Sequence, residues 1–142
     1  MKSQQSPTMN SLTKNLHQLV SSAVGNSMLT AVQRNSFIVN EVPREFQIAT
    51  DEKILGRVLD VLLSTVISNS KHSCIRIKAK EYEDIIFVSV RDNNSLSNYA
   101  ENDNLQEINA LAKKMNGSVS IQHIENKVTT ILLSFPNFPK AA

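Results

Sequence analysis

The strongest pattern in the sequence is a broad apolar stripe at helical spacing in the middle of the chain. It covers residues 52–68 and consists of Leu55, Val58, Leu59, Leu62, Leu63 and Val66. Residues three and four positions apart lie on the same side of a helix, so these side chains form one continuous face. The pattern predicts a long helix that packs this face against the core of the fold.

A second helix is predicted near the N-terminus. Apolar residues at helical spacing run through residues 11–24, and the pair Gly25-Asn26 that follows them is typical of a helix end. The spacing of the apolar residues within positions 28–32 then predicts a short, separate helical piece. The sequence therefore places a break between two helical segments at Gly25.

The third predicted helix occupies residues 104–115. Asn104 is a favourable N-cap residue, and Glu107 stands at the spacing of a capping box, in which two side chains satisfy free backbone N–H groups. Asn116 and Gly117 both tolerate the left-handed backbone conformation that ends many helices. We expect this helix to end at that pair.

Alternating apolar and polar residues predict five strands. They cover residues 36–42, 73–80, 85–91, 119–124 and 129–135. Pro43 ends the first strand, because proline cannot donate a backbone hydrogen bond to a sheet. Only the polar residues 81–84 separate the second strand from the third, which predicts an antiparallel hairpin.

The order of these elements indicates the fold class. Strands outnumber the helices that could cross over between them, and adjacent hairpins imply antiparallel pairing. We therefore predict an α/β (α+β) two-layer sandwich. Its sheet is mixed, mostly antiparallel and built of about five strands, with about three helices on one face and the other face open.

Length and composition fit a single domain. The chain has 142 residues, of which 41% are hydrophobic, enough to bury a core without disulfides or metals. Residues 1–10 have no apolar centre of a signal peptide and are predicted to be a disordered lead-in, with the domain at residues 11–136 and a tail at 137–142. No apolar run approaches the roughly 20 residues that span a bilayer. The single Cys74 cannot form an internal disulfide, which favours a cytoplasmic location.

One predicted strand carries a basic ridge. Arg76, Lys78 and Lys80 alternate with Ile75 and Ile77, so one side of the strand is basic and the other is buried. The ridge has the charge to bind phosphates, and a solvated open sheet face explains it equally well. Nucleic-acid binding ranks last among the functional classes, because the sequence shows no aromatic stacking residues near the ridge.

Four segments resemble motifs of one known family in order and spacing. Residues 54–70 (ILGRVLDVLLSTVISNS) are similar to a helix of the pattern V-L-x-N-L-L-S-N-A-I-K-Y-S, and residues 85–93 (IIFVSVRDN) to a strand that ends in Asp-Asn. Residues 105–123 (LQEINALAKKMNGSVSIQH) resemble a helix followed by M-G-G-x-I-x-V, and residues 126–136 (NKVTTILLSFP) a strand G-x-G-T-x-F-x-F-x-L-P. The family is the catalytic, ATP-binding domain of two-component sensor histidine kinases, within the histidine-kinase-like ATPases (Bergerat fold) that include DNA gyrase.

The resemblance implies an adenine-binding corner. Asp92 matches the carboxylate that accepts the adenine amino group, Asn93 follows it as in the family, and Thr129 matches the threonine that supports this contact. Asn94 replaces the glycine that lets the family's backbone approach the base. We expect Asp92 and Thr129 to lie side by side at the mouth of one pocket, on neighbouring central strands, and to face the helices.

Departures from the family concern the phosphates and the metal. Val61 and Thr65 replace two asparagines that bind magnesium and phosphate, and Ser68 and Asn69 replace a lysine and a tyrosine. Magnesium needs oxygen ligands, which valine lacks. The glycine-rich lid that closes over the nucleotide is missing, since positions 93–104 contain no glycine. Thr65 and Asn69 remain as candidate nucleotide contacts, ATP is expected to bind weakly, and the magnesium site is degenerate.

Plainer interpretations exist for these residues. Asp92 also fits a turn after a strand, and Thr129 is a good strand residue in any fold. His17, His72 and His123 have no metal-ligand spacing and are expected to be surface or structural residues. The sequence predicts no catalytic residue and no metal ligand.

Three functional classes follow. The first is the ATP-binding domain of a sensor histidine kinase with a degenerate site and doubtful catalysis, because phosphoryl transfer depends on positioning and on metal charge. The second is a non-catalytic module that docks a kinase helical hairpin or a response-regulator receiver domain. The third is nucleic-acid binding by the basic sheet face.

Overall fold

The computed structural model describes residues 14–95, 103–124 and 128–137 of the chain. The predicted lead-in (1–10) and the tail after residue 137 lie outside the described residues. So does most of the segment in which the lid is missing. The predicted start of the first helix at residue 11 is wrong, because Lys14 and Asn15 form a short strand and the helix begins only at Leu16, after its N-cap Asn15. The described part contains three helices, α1 (Leu16–Gln33), α2 (Glu52–Ser68) and α3 (Asp103–Lys113).

Seven strands belong to two sheets in the described part of the chain. They are β1 (Lys14–Asn15), β2 (Phe37–Asn40), β3 (Gln47–Ile48), β4 (Cys74–Tyr82), β5 (Ile85–Asp92), β6 (Ser118–Ile124) and β7 (Val128–Pro136). The five-stranded sheet has the order β2-β4-β5-β7-β6, and β1 pairs with β3 in a small separate ladder. β2 runs parallel to β4, while the other neighbours in the large sheet are antiparallel.

The predicted fold class is confirmed: helices and a mixed five-stranded sheet form an α/β sandwich. The core lies between the two layers, where inward-facing residues of the sheet such as Val88 and Leu133 meet the apolar face of α2. Among the described helices, none combines the length and apolarity needed to cross a bilayer.

Helix α2 has the bounds that its apolar stripe predicts. All six residues of the stripe are buried, and the exposed fractions of Leu62 and Leu63 are both 0%. The helix begins after Asp51, whose carboxylate accepts hydrogen bonds from the backbone N–H groups of Lys53 (2.9 Å) and Ile54 (3.3 Å). Such capping satisfies N–H groups that have no partner within the helix.

The predicted break at Gly25 is wrong, because α1 continues without interruption to Gln33. A glycine inside a helix costs only about 1 kcal/mol relative to alanine, which tertiary contacts can offset. Here the second half of α1 buries Ser27 and Ala31, and the Asn26 side chain donates to the Asp60 carboxylate of α2 at 3.1 Å.

The two ends of α3 differ in how well the sequence predicts them. The helix already includes Asp103, so Asn104 lies within the first turn and is not the N-cap, and Glu107 instead pairs with Arg57 of α2 at 3.2 Å. The predicted end is confirmed: Asn116 has φ 59°, and the Gly117 N–H donates to the Ala112 carbonyl at 2.8 Å. This is the hydrogen-bond pattern of a Schellman cap.

The hairpin of β4 and β5 is tighter than predicted. β4 extends to Tyr82, so that only Glu83 and Asp84 form the turn, with φ values of 51° and 64°. Positive φ at both positions gives a turn whose twist matches that of the strands.

We expect Leu62→Ala to lower the free energy of unfolding by about 2–5 kcal/mol, because the side chain is fully buried between α2 and the sheet. The matched control is Leu29→Ala, at a residue of α1 that is 73% exposed, where the loss should stay within about 0.5 kcal/mol. Urea denaturation of both variants measures the difference. Equal losses would contradict the assignment of the buried helix face.

A second pair of variants tests the contact between α3 and β7. A Cβ atom at Gly117 would lie 2.4 Å from the Ser134 carbonyl oxygen, whereas one at Gly25 would meet nothing within 4 Å. Gly117→Ala should therefore destabilise the fold by about 1–3 kcal/mol, and Gly25→Ala should stabilise it by about 0.5–1 kcal/mol. Thermal unfolding should show midpoints that move in opposite directions. A shift in the same direction would mean that the close approach at Gly117 is misplaced.

Candidate functional site

The ends of β5 and β7 bring Asp92 and Thr129 together. The two residues are direct partners in the antiparallel ladder. Asp92 is 1% exposed and Thr129 is 0% exposed. Both follow the alternation that points Val88 and Val90 of β5 toward the helices. The predicted proximity of Asp92 and Thr129 on the covered face of the sheet is thus what the structure shows.

The Asp92 carboxylate is held by hydrogen-bond donors from the chain around it. The Ser70 hydroxyl donates to Oδ2, while Oδ1 accepts from the Ser73 hydroxyl at 2.5 Å and from the Asn94 backbone N–H at 3.0 Å. Ser70 directly follows the C-cap of α2, and Ser73 precedes β4. The carboxylate therefore connects the C-terminal end of α2 to both strands of the hairpin, β4 and β5.

Thr129 is the centre of a second set of contacts. Its hydroxyl lies 2.8 Å from the Ser95 hydroxyl and 2.8 Å from Nδ1 of His123. His123 is the partner of Thr129 in the ladder between β6 and β7. Three neighbouring segments thus converge on this hydroxyl, on the same covered face as Asp92.

The chemistry of this cluster is that of a buried hydrogen-bond acceptor. A carboxylate has about four lone-pair sites, and the hydroxyl and amide donors around Asp92 are directed at them. An incoming amino group, such as the one on adenine, would compete with Ser70 and Ser73 for the same oxygens. Since Asp92 is 1% exposed, side chains or backbone above it must move before a ligand can reach it.

Polar groups at the end of α2 are directed back into the helix. The Thr65 hydroxyl donates to the Val61 carbonyl at 2.8 Å, and Thr65 is 0% exposed. The Asn69 side-chain amide donates to the Thr65 carbonyl at 2.8 Å. The predicted role of Thr65 and Asn69 as nucleotide contacts stays a prediction.

The two asparagines after Asp92 lie in different surroundings. Asn93 is exposed and lines a concavity on the open face of the sheet together with Arg91. Asn94 is half-buried, and its side-chain amide donates to the Lys71 carbonyl at 2.6 Å. Asn94 therefore contacts the Asp92 carboxylate through its backbone N–H, whereas Asn93 lies on the opposite, open face of the sheet.

The histidines occupy three unrelated positions. His17 Nδ1 lies 2.7 Å from the Val42 carbonyl, which fits the predicted structural role, and His72 is exposed in a turn with φ 52°. His123 differs, because it contacts Thr129. Sequence reasoning missed this contact, because it predicted the last two strands without a register between them.

Sequence reasoning also missed the serines of the cluster. Ser70, Ser73 and Ser95 are buried, with exposed fractions of 0%, 2% and 2%. A serine in a loop carries no periodic signal that distinguishes a buried hydroxyl from a solvated one. The available signal was their position, since Ser70 follows the end of α2, Ser73 directly precedes β4, and Ser95 follows the end of β5.

The sequence by itself matches no known family model and no curated protein. Comparison of the fold with solved structures gives many matches. The catalytic domain of the histidine kinase ThkA, in a nucleotide-free form, has a TM-score of 0.78 at 15% identity, over 90% of this chain and 97% of that one. The histidine kinase AdeS of Acinetobacter baumannii has a TM-score of 0.76 at 10% identity, over 88% of this chain and 67% of that one.

A third similar structure contains a nucleotide. Full-length ShkA in complex with AMPPNP has a TM-score of 0.75 at 15% identity, over 91% of this chain and 31% of that one. These comparisons, at 10–15% identity, concern the fold. The chain has the fold of the catalytic, ATP-binding domains of sensor histidine kinases.

Proposed function

We propose that this chain is the nucleotide-binding module of a two-component sensor histidine kinase, with a site that retains the adenine contact and has lost the phosphate and metal contacts. The observation that carries this proposal is the pair Asp92–Thr129, buried side by side at the strand ends of a histidine-kinase fold. In such a module Asp92 would accept the adenine amino group, and Thr129 would orient the groups around it.

The residues at the metal position do not fit magnesium. The Val61 side chain has no ligand atom, and the Thr65 hydroxyl is buried and bonded to its own helix. Magnesium requires near-octahedral oxygen coordination and gives up its water reluctantly. Because phosphoryl transfer depends on positioning and on metal charge, we expect no measurable ATPase activity from the domain alone.

The competing function is a non-catalytic docking module for a kinase helical hairpin or a response-regulator receiver domain. One observation favours it: Met28, Leu29 and Val32 on α1 are 43%, 73% and 61% exposed. Exposed apolar side chains grouped on one helix are typical of protein contact surfaces. Such a module would use the fold as a scaffold and need no nucleotide. A cytoplasmic location belongs to both proposals and rests on the lone Cys74.

We expect ATP to bind with a dissociation constant near millimolar or weaker, and magnesium to leave that value unchanged. The loss of two charge-assisted contacts, at roughly 1.5–3 kcal/mol each, weakens a micromolar site by about two to four powers of ten. Calorimetric titration with ATP, with and without magnesium, measures this. GTP is the control, because its ring carries a carbonyl where adenine has the amino group that Asp92 would accept.

Two outcomes of the titration would decide against the proposal. Equal affinity for ATP and GTP would remove the role of Asp92 in reading the base. The complete absence of ATP binding at concentrations far above millimolar would leave the docking module as the better account of the fold.

Restoring asparagine at the metal position should restore part of the magnesium dependence. We expect Val61→Asn with Thr65→Asn to bind ATP more tightly when magnesium is present, because amide oxygens can serve as ligands. Val61→Asn alone is the second variant, since Val61 is half-buried and tolerates a polar side chain better than the buried Thr65 does. Unchanged titrations for folded forms of both variants would show that the metal position is assigned to the wrong residues.

A further inference from the structure

The face of the large sheet opposite the helices is open and basic. Arg76, Lys78 and Lys80 of β4 are exposed on it, and Arg91 of β5 lies directly opposite Arg76. Like charges directly opposite one another on neighbouring strands are destabilising. A cluster of this kind indicates a surface that meets negative charge.

Little within the described chain neutralises these cations. Glu41 forms an ion pair with Arg76 at 2.7 Å. Lys78, Lys80 and Arg91 form no ion pair with any residue that the structure describes. The acidic turn residues Glu83 and Asp84 lie beyond the end of β4, so the positive region extends from Lys80 toward Arg76 and Arg91.

Two concavities lie side by side on this face. One, of about 320 Å³, is lined by Arg76, Lys78, Arg91, Asn93, Ser89 and Thr130. Its lining includes cations, hydroxyls and an amide but no carboxylate, which suits a phosphate group. The other, of about 680 Å³, adjoins it at Lys78 and Ser89 and adds an apolar wall from Phe87 and Leu132. Glu41 also lines it, and the carboxylate of this residue is paired with Arg76.

Aromatic residues lie on the same face as the cations. Phe87 is the direct partner of Lys80 across β4 and β5, and Tyr82 follows Lys80 by two positions on β4 and is 65% exposed. Phe37 of β2, 59% exposed, stands opposite Cys74 at the other end of β4. The expectation that the basic ridge has no aromatic residues near it is therefore wrong: Tyr82 lies on the ridge strand itself, and strand pairing adds Phe87 and Phe37.

We propose that this open face binds a short single strand of nucleic acid, with its phosphates along Arg76, Lys78 and Lys80 and a base stacked on Phe87. Alternate residues of a strand are about 6.6 Å apart, close to the separation of consecutive phosphates in an extended single strand. Basic grooves with an aromatic stacking platform bind single strands with little sequence preference. An acidic peptide would neutralise the cations, but its carboxylate side chains could not stack on the ring of Phe87 as a base does.

Fluorescence anisotropy of the full chain with a labelled oligothymidylate of about ten nucleotides tests the proposal, since single-strand sites cover roughly 4–16 nucleotides. With three or four phosphates neutralised, log K should fall with log salt at a slope of about −2 to −3. At matched ionic strength, ATP should displace the oligonucleotide no more than the same concentration of inorganic tripolyphosphate does, because Asp92 lies on the other face of the sheet. Stronger displacement by ATP than by tripolyphosphate, or no binding at low salt, would overturn the proposal.

A matched pair of double variants locates the site. Lys78→Ala with Lys80→Ala should make the slope shallower by about 1.4, at about 0.7 per phosphate contact. Lys113→Ala with Lys114→Ala removes the same charge from exposed residues at the end of α3 and should change nothing. If both double variants change the salt slope equally, the oligonucleotide is attracted by net charge and not by this face, which would contradict the proposal.

The stacking contact is tested by Phe87→Leu and Phe87→Tyr. The loss of one base–aromatic stack should weaken binding by about 5- to 150-fold, so Phe87→Leu should lose affinity while Phe87→Tyr keeps it. If Phe87→Leu fails to fold, the lysine variants still decide the outcome. An oligoglutamate peptide is the last competitor: displacement of the oligonucleotide at equal or lower concentration would identify an acidic protein surface as the partner instead.

Discussion

The register of three long antiparallel strands, β4, β5 and β7, determines which side chains meet in this fold. Successive residues of a strand point to opposite faces, so a slip of one residue would exchange the two faces of the sheet. The pairing that brings Asp92 against Thr129 beneath the helices also brings Arg91 against Arg76 on the open side. Apolar residues on the covered face exclude such a slip, because it would bury the cations and expose the core.

Elements with strong periodicity could be predicted from the sequence, and their junctions could not. The bounds of α2 follow from its apolar face and from Asp51, which are local features. The continuation of α1 through Gly25 depends on packing against α2, including the hydrogen bond from Asn26 to Asp60, and no local signal contains it. The parallel pairing of β2 with β4 likewise depends on contacts between residues far apart in the sequence.

In the candidate site as well, some residues could be predicted from the sequence and others could not. The resemblance to a known family located Asp92 and Thr129, because these residues stand at fixed places in motifs. It did not locate the serines that hold the carboxylate, since Ser70 and Ser73 come from loops whose spacing has no period. The open face was underestimated for a different reason: the hairpin of β4 and β5 was predicted, but its register, which places Phe87 opposite Lys80, was not.

The edge strand β2 is held differently from the rest of the sheet. It has four residues, so its ladder with β4 is short, and the pairing of Phe37 with Cys74 joins positions far apart in the chain. The chain entropy lost on pairing is therefore large for few hydrogen bonds, whereas β4 and β5 are joined by a two-residue turn. Local opening is cheapest where few contacts must break. The backbone amides of β2 should therefore exchange with deuterium well before those of the central strands.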